Sequence, residues 1–221
     1  MKKDNFEKIF NKISKYYDER IIKYDDSPKS VGQKNIQTLE KRLSILLQVG
    51  DLKKSKILDF GCGTGYLYEY LKKKINYQGV YVGYDISKEM IKLAKKKYKK
   101  ARFENKDIFQ NRIKEKFDYV LINGTFNYKF KNNFDWIKKT LSTLFKKTNK
   151  AIAFNNLSSY VDYKDEILYY ENPEKIFRFC KSELSPFVTI RHDYQVKTKK
   201  MPYEFTTYIY KTKIPIRKLI K

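Results

Sequence analysis

Three glycines at every second position, Gly61, Gly63 and Gly65, follow a short apolar run in ILDFGCGTGYL (57–67). Asp59 lies inside that run. Glycine lets the backbone approach a ligand closely and take positive φ without steric cost. A second carboxylate, Asp85, ends another apolar run, GVYVGYDI (79–86). An acidic residue so placed can accept both hydroxyl hydrogens of a ribose. Far downstream, His192 is the one histidine of the chain, and histidine is the commonest general base near neutral pH.

These residues need elements to hold them. Residues 4–24 carry Phe6, Ile9, Phe10, Ile13 and Tyr17 at three- and four-residue spacing, one face of a helix. A break with Pro28 and Gly32 separates it from a second helix bearing Ile36, Leu39, Leu43, Leu46 and Leu47. From residue 56 strands and helices alternate: KILDF, GVYVGYDI, ARFENKD, FDYVLING (117–124) and KAIAFNN read as strands. Ser87 suits an N-cap for KEMIKLAKKKYKK, and Asn172 with Pro173 opens another helix. FVTIRHDY (187–194) and EFTTYIYK (204–211) follow as two strands with no helix between, so they pair antiparallel. The expectation is an α/β, Rossmann-like, seven-stranded, mostly parallel sheet with helices on both faces. Two N-terminal helices cap it, and the last two strands form the antiparallel pair. The chain reads as a single domain, 1–221: a cap over 1–50, a cofactor-binding core over 51–157, and a substrate-side part over 158–221.

The formal net charge is +24. It fits a nucleic acid, an anionic membrane or a phosphorylated small molecule. It equally fits compositional bias, since the lysines are scattered and accompany Ile, Asn and Tyr as AT-rich coding would produce. No apolar run is long enough to span a bilayer, and the N-terminus has no apolar h-region. Cys62 and Cys180 are too few for a disulfide framework or a metal site. A cytoplasmic protein with free thiols and no metal is the expectation.

In an open α/β sheet the ligand lies beyond the carboxyl ends of the strands. Two nucleoside cofactors suit the glycine loop. A dinucleotide fingerprint is G-x-G-x-x-G, and here the third glycine comes one residue early. The other candidate is S-adenosylmethionine, which carries no phosphate. ILDFGCGTGYL, then VGYDISKEMIKLAKKK, ENKDIF and FDYVLINGTFNY, resemble the ordered motifs of class I S-adenosylmethionine-dependent methyltransferases over roughly 52–157. The resemblance implies that Gly61, Cys62, Gly63 and Gly65 line the methionine and ribose part of the cofactor, with Asp59 near its amino group. It implies Asp85 on the ribose, Ile86 and Met90 packed on adenine, Asp107 at the adenine amino group beside Ile108, and Asn123, Gly124 and Thr125 under the sulfonium. The tyrosine-rich YYDERIIKYDDSPKSVGQ resembles the lid of small-molecule methyltransferases, with Tyr16, Tyr17 and Gln33 as its candidates.

NGTFNY stands where enzymes that methylate amino groups of nucleic acids carry Asn/Asp-Pro-Pro-Tyr/Phe, which argues against that reaction. Phe126 and Asn127 in that loop, and Asn155, Asn156, Ser158, Tyr160 and Asp162 after the fifth strand, are candidates to contact the substrate, together with Arg191. His192 is the candidate general base for O-methylation. The segment AFNNLSSYVDY…LYYENPEKIFRFCK…IRHDY resembles a bacterial branch found among genes for surface polysaccharides and secondary metabolites. That implies a small, anionic, nucleotide-linked or phosphorylated capsular precursor, whose phosphates basic residues would neutralise. The alternatives are an RNA methyltransferase and a non-catalytic cofactor-binding protein. Oligomeric state has no signature here.

Overall fold

The computed structural model describes residues 4–25, 27–32, 35–196, 201 and 203–213. Helix α1 (Asp4–Tyr24) and helix α2 (Ile36–Leu46) precede the sheet. Then follow β1 (Ile57–Phe60), α3 (Tyr66–Ile75), β2 (Tyr81–Asp85), α4 (Lys88–Lys97), β3 (Arg102–Asn105), β4 (Phe117–Ile122), α5 (Asn133–Phe145) and β5 (Thr148–Ser158). The chain closes with β6 (Tyr170–Glu171), α6 (Pro173–Phe179) continued by one π-helical turn over Cys180–Leu184, β7 (Val188–Arg191) and β8 (Glu204–Tyr210).

The sheet order is β3-β2-β1-β4-β5-β8-β7, with β6 pairing β5. All pairings are parallel except those of β8, which runs antiparallel to both β5 and β7. The seven strands anticipated from sequence are all present, and the two-residue β6 is the eighth. Strand order reverses between β1 and β4, the position at which an open sheet forms its ligand crevice.

Alternation along the strands builds two cores. Leu58, Phe60, Val82, Tyr84, Val120, Ile122, Ile152 and Phe154 face one side, beneath α1, α5 and α6. Ile57, Tyr81, Tyr119, Leu121, Ala151 and Ala153 face the other, beneath α2, α3 and α4. A strand buried on both faces reads as a continuous apolar run, which is why ILDF and YVLI lack a polar alternation.

Local chemistry sets the helix starts. Asn35, Ser87 and Asn172 each accept a bond from the third residue of the following helix, the ordinary N-cap geometry. β7 ends earlier than the run FVTIRHDY suggests. Arg191 forks onto Asp193, with Nε donating to Oδ1 at 2.7 Å and a terminal nitrogen to Oδ2 at 3.0 Å. Strand pairing ends at Arg191, so His192 and Tyr194 lie outside β7.

Phe154 is fully buried and meets Phe126 edge-on at 5.9 Å between ring centroids. Phe154→Ala should lower stability by about 3–5 kcal/mol, the range for emptying an aromatic core site, read as a drop in urea midpoint at unchanged slope.

Candidate active site

The carboxyl ends of β1, β2 and β4 open into a cavity of about 650 Å3. Residues of α1 and α2 line it, and further along so do the segment from Leu157 to Tyr170, Met201, Tyr203 and Glu204. From β2 to β8 the sheet spans four strand spacings, roughly 19 Å. The cavity therefore has a β2 end, near Asp85, and a β8 end, near Glu204.

At the β2 end, two backbone amides converge on the Asp85 carboxylate. Gly63 N–H donates to Oδ2 at 2.8 Å and Ser87 N–H to Oδ1 at 2.9 Å. Burial pushes this carboxyl above its usual range despite those bonds. The Ser87 hydroxyl, which caps α4, donates to Asp18 of α1 at 2.5 Å, and Ser14 of α1 donates to the Ile86 carbonyl at 3.0 Å. Helix α1 is thus tied across the mouth of the glycine loop. Tyr17 lines the cavity from α1, in edge contact with Tyr16 at 5.2 Å. Burial above all, then its neighbours Tyr16 and Asp85, raises its hydroxyl pKa.

Asp59 is buried at the end of β1 and accepts a 2.5 Å bond from the Tyr81 hydroxyl. Burial pushes its carboxyl up to about 7, Tyr81 pulls it down, and Asp85 adds to the rise. Cys62 lines the cavity as a neutral thiol, its pKa driven up by burial. Ile86, Met90, Asp107 and Ile108 line the same end, and Asp107 also accepts from Phe109 N–H at 2.8 Å.

Beneath the cavity centre the loops after β1 and β4 are clasped. Thr125 donates to the Phe60 carbonyl at 2.9 Å. A Cβ on Gly61, whose φ is +77°, would overlap the Thr125 hydroxyl. Gly124 N–H donates to Asn155 Oδ1 at 2.7 Å, and Asn155 Nδ2 donates to Asn123 Oδ1 at 3.0 Å. Asn123, Gly124, Thr125 and Asn127 line the cavity.

Several residues singled out from sequence lie elsewhere. Gly65 does not line the cavity: it starts α3 with φ +81°, and a Cβ there would come 2.8 Å from the Phe103 ring, so it serves helix-to-sheet packing. Phe126 is core, wedged between Trp136 and Phe154. Asn155 supports the loop rather than the cavity surface. Asn156, one residue on, is buried on the side of the sheet that Phe154 faces. Tyr160 is exposed and donates to Glu174 at 2.5 Å. Arg191 is held by Asp193 and Gln48. His192 packs between Tyr160 and Phe205 and does not line the cavity, so it is out of place for a general base. Asp162 does line it, and Gln33 lies outside the described residues.

Sequence reasoning missed Arg42, Tyr203 and Glu204 at the β8 end. Arg42 Nε donates to both Glu204 carboxylate oxygens, at 2.7 and 2.8 Å, and a terminal nitrogen reaches the Tyr203 hydroxyl at 3.1 Å. Both members of the ion pair are buried and both line the cavity. The available signal was Arg42 itself, a cation on the apolar stripe of Leu39, Leu43 and Leu46.

The residues present suit a nucleoside bearing an amino-acid tail. The ribose-type carboxylate is half-buried and amide-supported, a buried carboxylate stands beside it, and the glycine loop offers no room for a side chain at Gly61. The methyltransferase domain family matches residues 51–204. The chain is 34% identical to the putative methyltransferase Rv1506c of Mycobacterium tuberculosis over 162 residues, 70% of this chain and 92% of that protein. It is 31% identical over 151 residues to the malonyl-[acyl-carrier protein] O-methyltransferase of Priestia megaterium, 67% of this chain but 49% of that protein. The chain thus spans about half the length of that relative. Magnesium protoporphyrin IX methyltransferase from Synechocystis PCC 6803, solved with bound S-adenosylmethionine, shares the fold. Its TM-score is 0.67 at 16% identity, over 92% of this chain and 97% of that one. The chain belongs to the methyltransferase domain family and is a class I S-adenosylmethionine-dependent methyltransferase. No helix among the described residues is long and apolar enough to cross a membrane.

Gly61→Ala should weaken S-adenosylhomocysteine binding at least tenfold (about 1.4 kcal/mol) while leaving the circular dichroism spectrum unchanged, measured by calorimetric titration.

Proposed function

We propose that the protein transfers a methyl group from S-adenosylmethionine to an oxygen of a small molecule held at the β8 end of the cavity. The observation that carries this reading is the single cavity running from the glycine loop and Asp85 to a second lined chamber at Arg42, Tyr203 and Glu204. The cofactor, when bound, supplies an electrophilic methyl on a sulfonium. Asp85 takes the ribose hydroxyls, Asp59 the methionine ammonium, and Ile86, Met90, Asp107 and Ile108 the adenine. The chain's own part is to hold acceptor and methyl in line and to exclude water, which can supply most of the acceleration for this chemistry. The loop Asn123–Thr125, clasped by Asn155 and Phe60, is the rigid floor against which that alignment is made.

An anionic, nucleotide-linked acceptor, expected from the net charge, gains no support from the lining. Its two described cations are engaged: Arg42 with Glu204, and Lys106 with Glu104 at 3.2 Å. A capsular precursor therefore has only the sequence resemblance behind it. RNA binding by stacking needs exposed aromatics. Of the tyrosines described, Tyr160 and Tyr163 are the strongly exposed ones.

Asp85→Ala should abolish S-adenosylhomocysteine binding in calorimetry. Unaltered affinity in that variant rejects the assignment. Affinity of the wild type should rise with pH up to about 7 and then level, because below that value Asp59 holds a proton that must leave when it receives an ammonium. The sign for stability is the reverse. A carboxyl with a raised folded-state pKa contributes stability below its unfolded value, about 4. That contribution is lost as pH climbs to 7, so the melting temperature of the cofactor-free protein should fall across that window. Asp59→Asn should make both profiles shallower, leaving the part that the raised Asp85 carboxyl contributes.

A further inference from the structure

The acceptor chamber carries more chemical information than its position. Resting on the reading above, we propose that the acceptor is an uncharged or cationic molecule of aromatic size that donates hydrogen bonds. We further propose that Glu204 enforces this choice by neutralising Arg42.

Three observations converge. First, Arg42 is the one guanidinium of the described lining, and Glu204 grips it through both carboxylate oxygens. The backbone carbonyl of Thr38 and the Tyr203 hydroxyl accept from two further donors. A cation with its donors so consumed offers an incoming carboxylate or phosphate little, and Glu204 opposes any such anion directly. Second, Asn127 Oδ1 is buried on the cavity wall with no hydrogen-bond partner among the described residues. An orphaned buried acceptor costs free energy until a donor reaches it, so a hydroxyl or ammonium is favoured there and an anionic oxygen is repelled. Third, Asp162 and the phenols Tyr128, Tyr163 and Tyr170 line the same cavity. Aromatic faces carry negative potential and attract cations and ring edges, and Asp162 adds a carboxylate with no hydrogen bond to any described residue.

Glu204 reaches this position because β8 runs antiparallel. Its first residue therefore lies at the carboxyl edge of the parallel strands, paired with Leu157 of β5. A residue far along the chain thus sets the charge of the chamber while touching none of the residues assigned to the cofactor.

The test uses three phenols of one size and different tails: 4-ethylphenol, tyramine and 3-(4-hydroxyphenyl)propionate. Each is titrated calorimetrically into protein saturated with S-adenosylhomocysteine. For the wild type, the propionate should bind at least about tenfold more weakly than 4-ethylphenol, 1.4 kcal/mol or more. Glu204→Gln should free the guanidinium, tightening the propionate and weakening tyramine, each by about tenfold, with S-adenosylhomocysteine affinity retained. The doubly substituted Arg42→Met, Glu204→Leu protein removes both charges without changing their sum, so it should keep the wild-type ranking. That protein carries the test if Glu204→Gln does not fold. Equal affinity of the wild type for propionate and 4-ethylphenol overturns the proposal. So does an unmoved ranking in folded Glu204→Gln, a lost ranking in the double variant, or no binding of any phenol to the saturated protein. Failure of the wild type to bind S-adenosylhomocysteine at all would instead sink the methyltransferase reading itself.

Discussion

The Asp85 carboxylate is the tie on which the active face depends. One of its oxygens holds the Gly63 amide of the glycine loop and the other holds the Ser87 amide at the start of α4. Ser87 passes the connection to Asp18 of α1 through its hydroxyl. A single half-buried side chain thereby fixes the loop after β1, the helix after β2 and the helix that closes over both. Burying a carboxylate is costly unless its lone pairs are met, and two backbone amides meet them. The same burial leaves Asp85 and Asp59 reluctant to ionise, and ligand groups that donate hydrogen bonds to them favour their charged forms.

A second constraint operates at the cavity centre. Gly61, Thr125, Gly124 and Asn155 are packed so closely that the loops after β1 and β4 behave as one surface. Asn155 was a reasonable candidate for substrate contact, since it lies near the carboxyl end of β5 at the active edge. Its amide is fully spent on Gly124 and Asn123 instead, and its contribution is to keep neighbouring residues still.

The fold was legible because strands buried on both faces and helices with one apolar stripe have different periods, and this chain keeps them apart. The β2 end of the cavity was legible for a related reason: its lining residues sit within a few positions of strand ends, where spacing along the chain converts directly into spacing in space. The acceptor half was not. Arg42 and Glu204 are 162 residues apart, and only the sheet order brings them together. His192 shows the opposite failure. The residue type suggested a base, but the strand it was read into stops at Arg191, and the fork onto Asp193 turns the imidazole against Phe205. Gly65 belongs with it, a glycine demanded by the Phe103 ring rather than by a ligand.

The antiparallel course of β8 has a consequence for how such a protein can diversify. Most of the residues proposed to hold the cofactor come from one tract, between Asp59 and Thr125, over which α1 is tied through Ser14 and Asp18. Those at the β8 end come from α2 and the start of β8. Arg42 and Glu204 bond to each other, to Thr38 and to Tyr203, so substitutions in that pair act first on the β8 end. The architecture therefore separates power supply from tool head by strand, β1, β2 and β4 on one side and β8 on the other, and an exchange of acceptor can begin at the start of β8 without rebuilding the glycine loop.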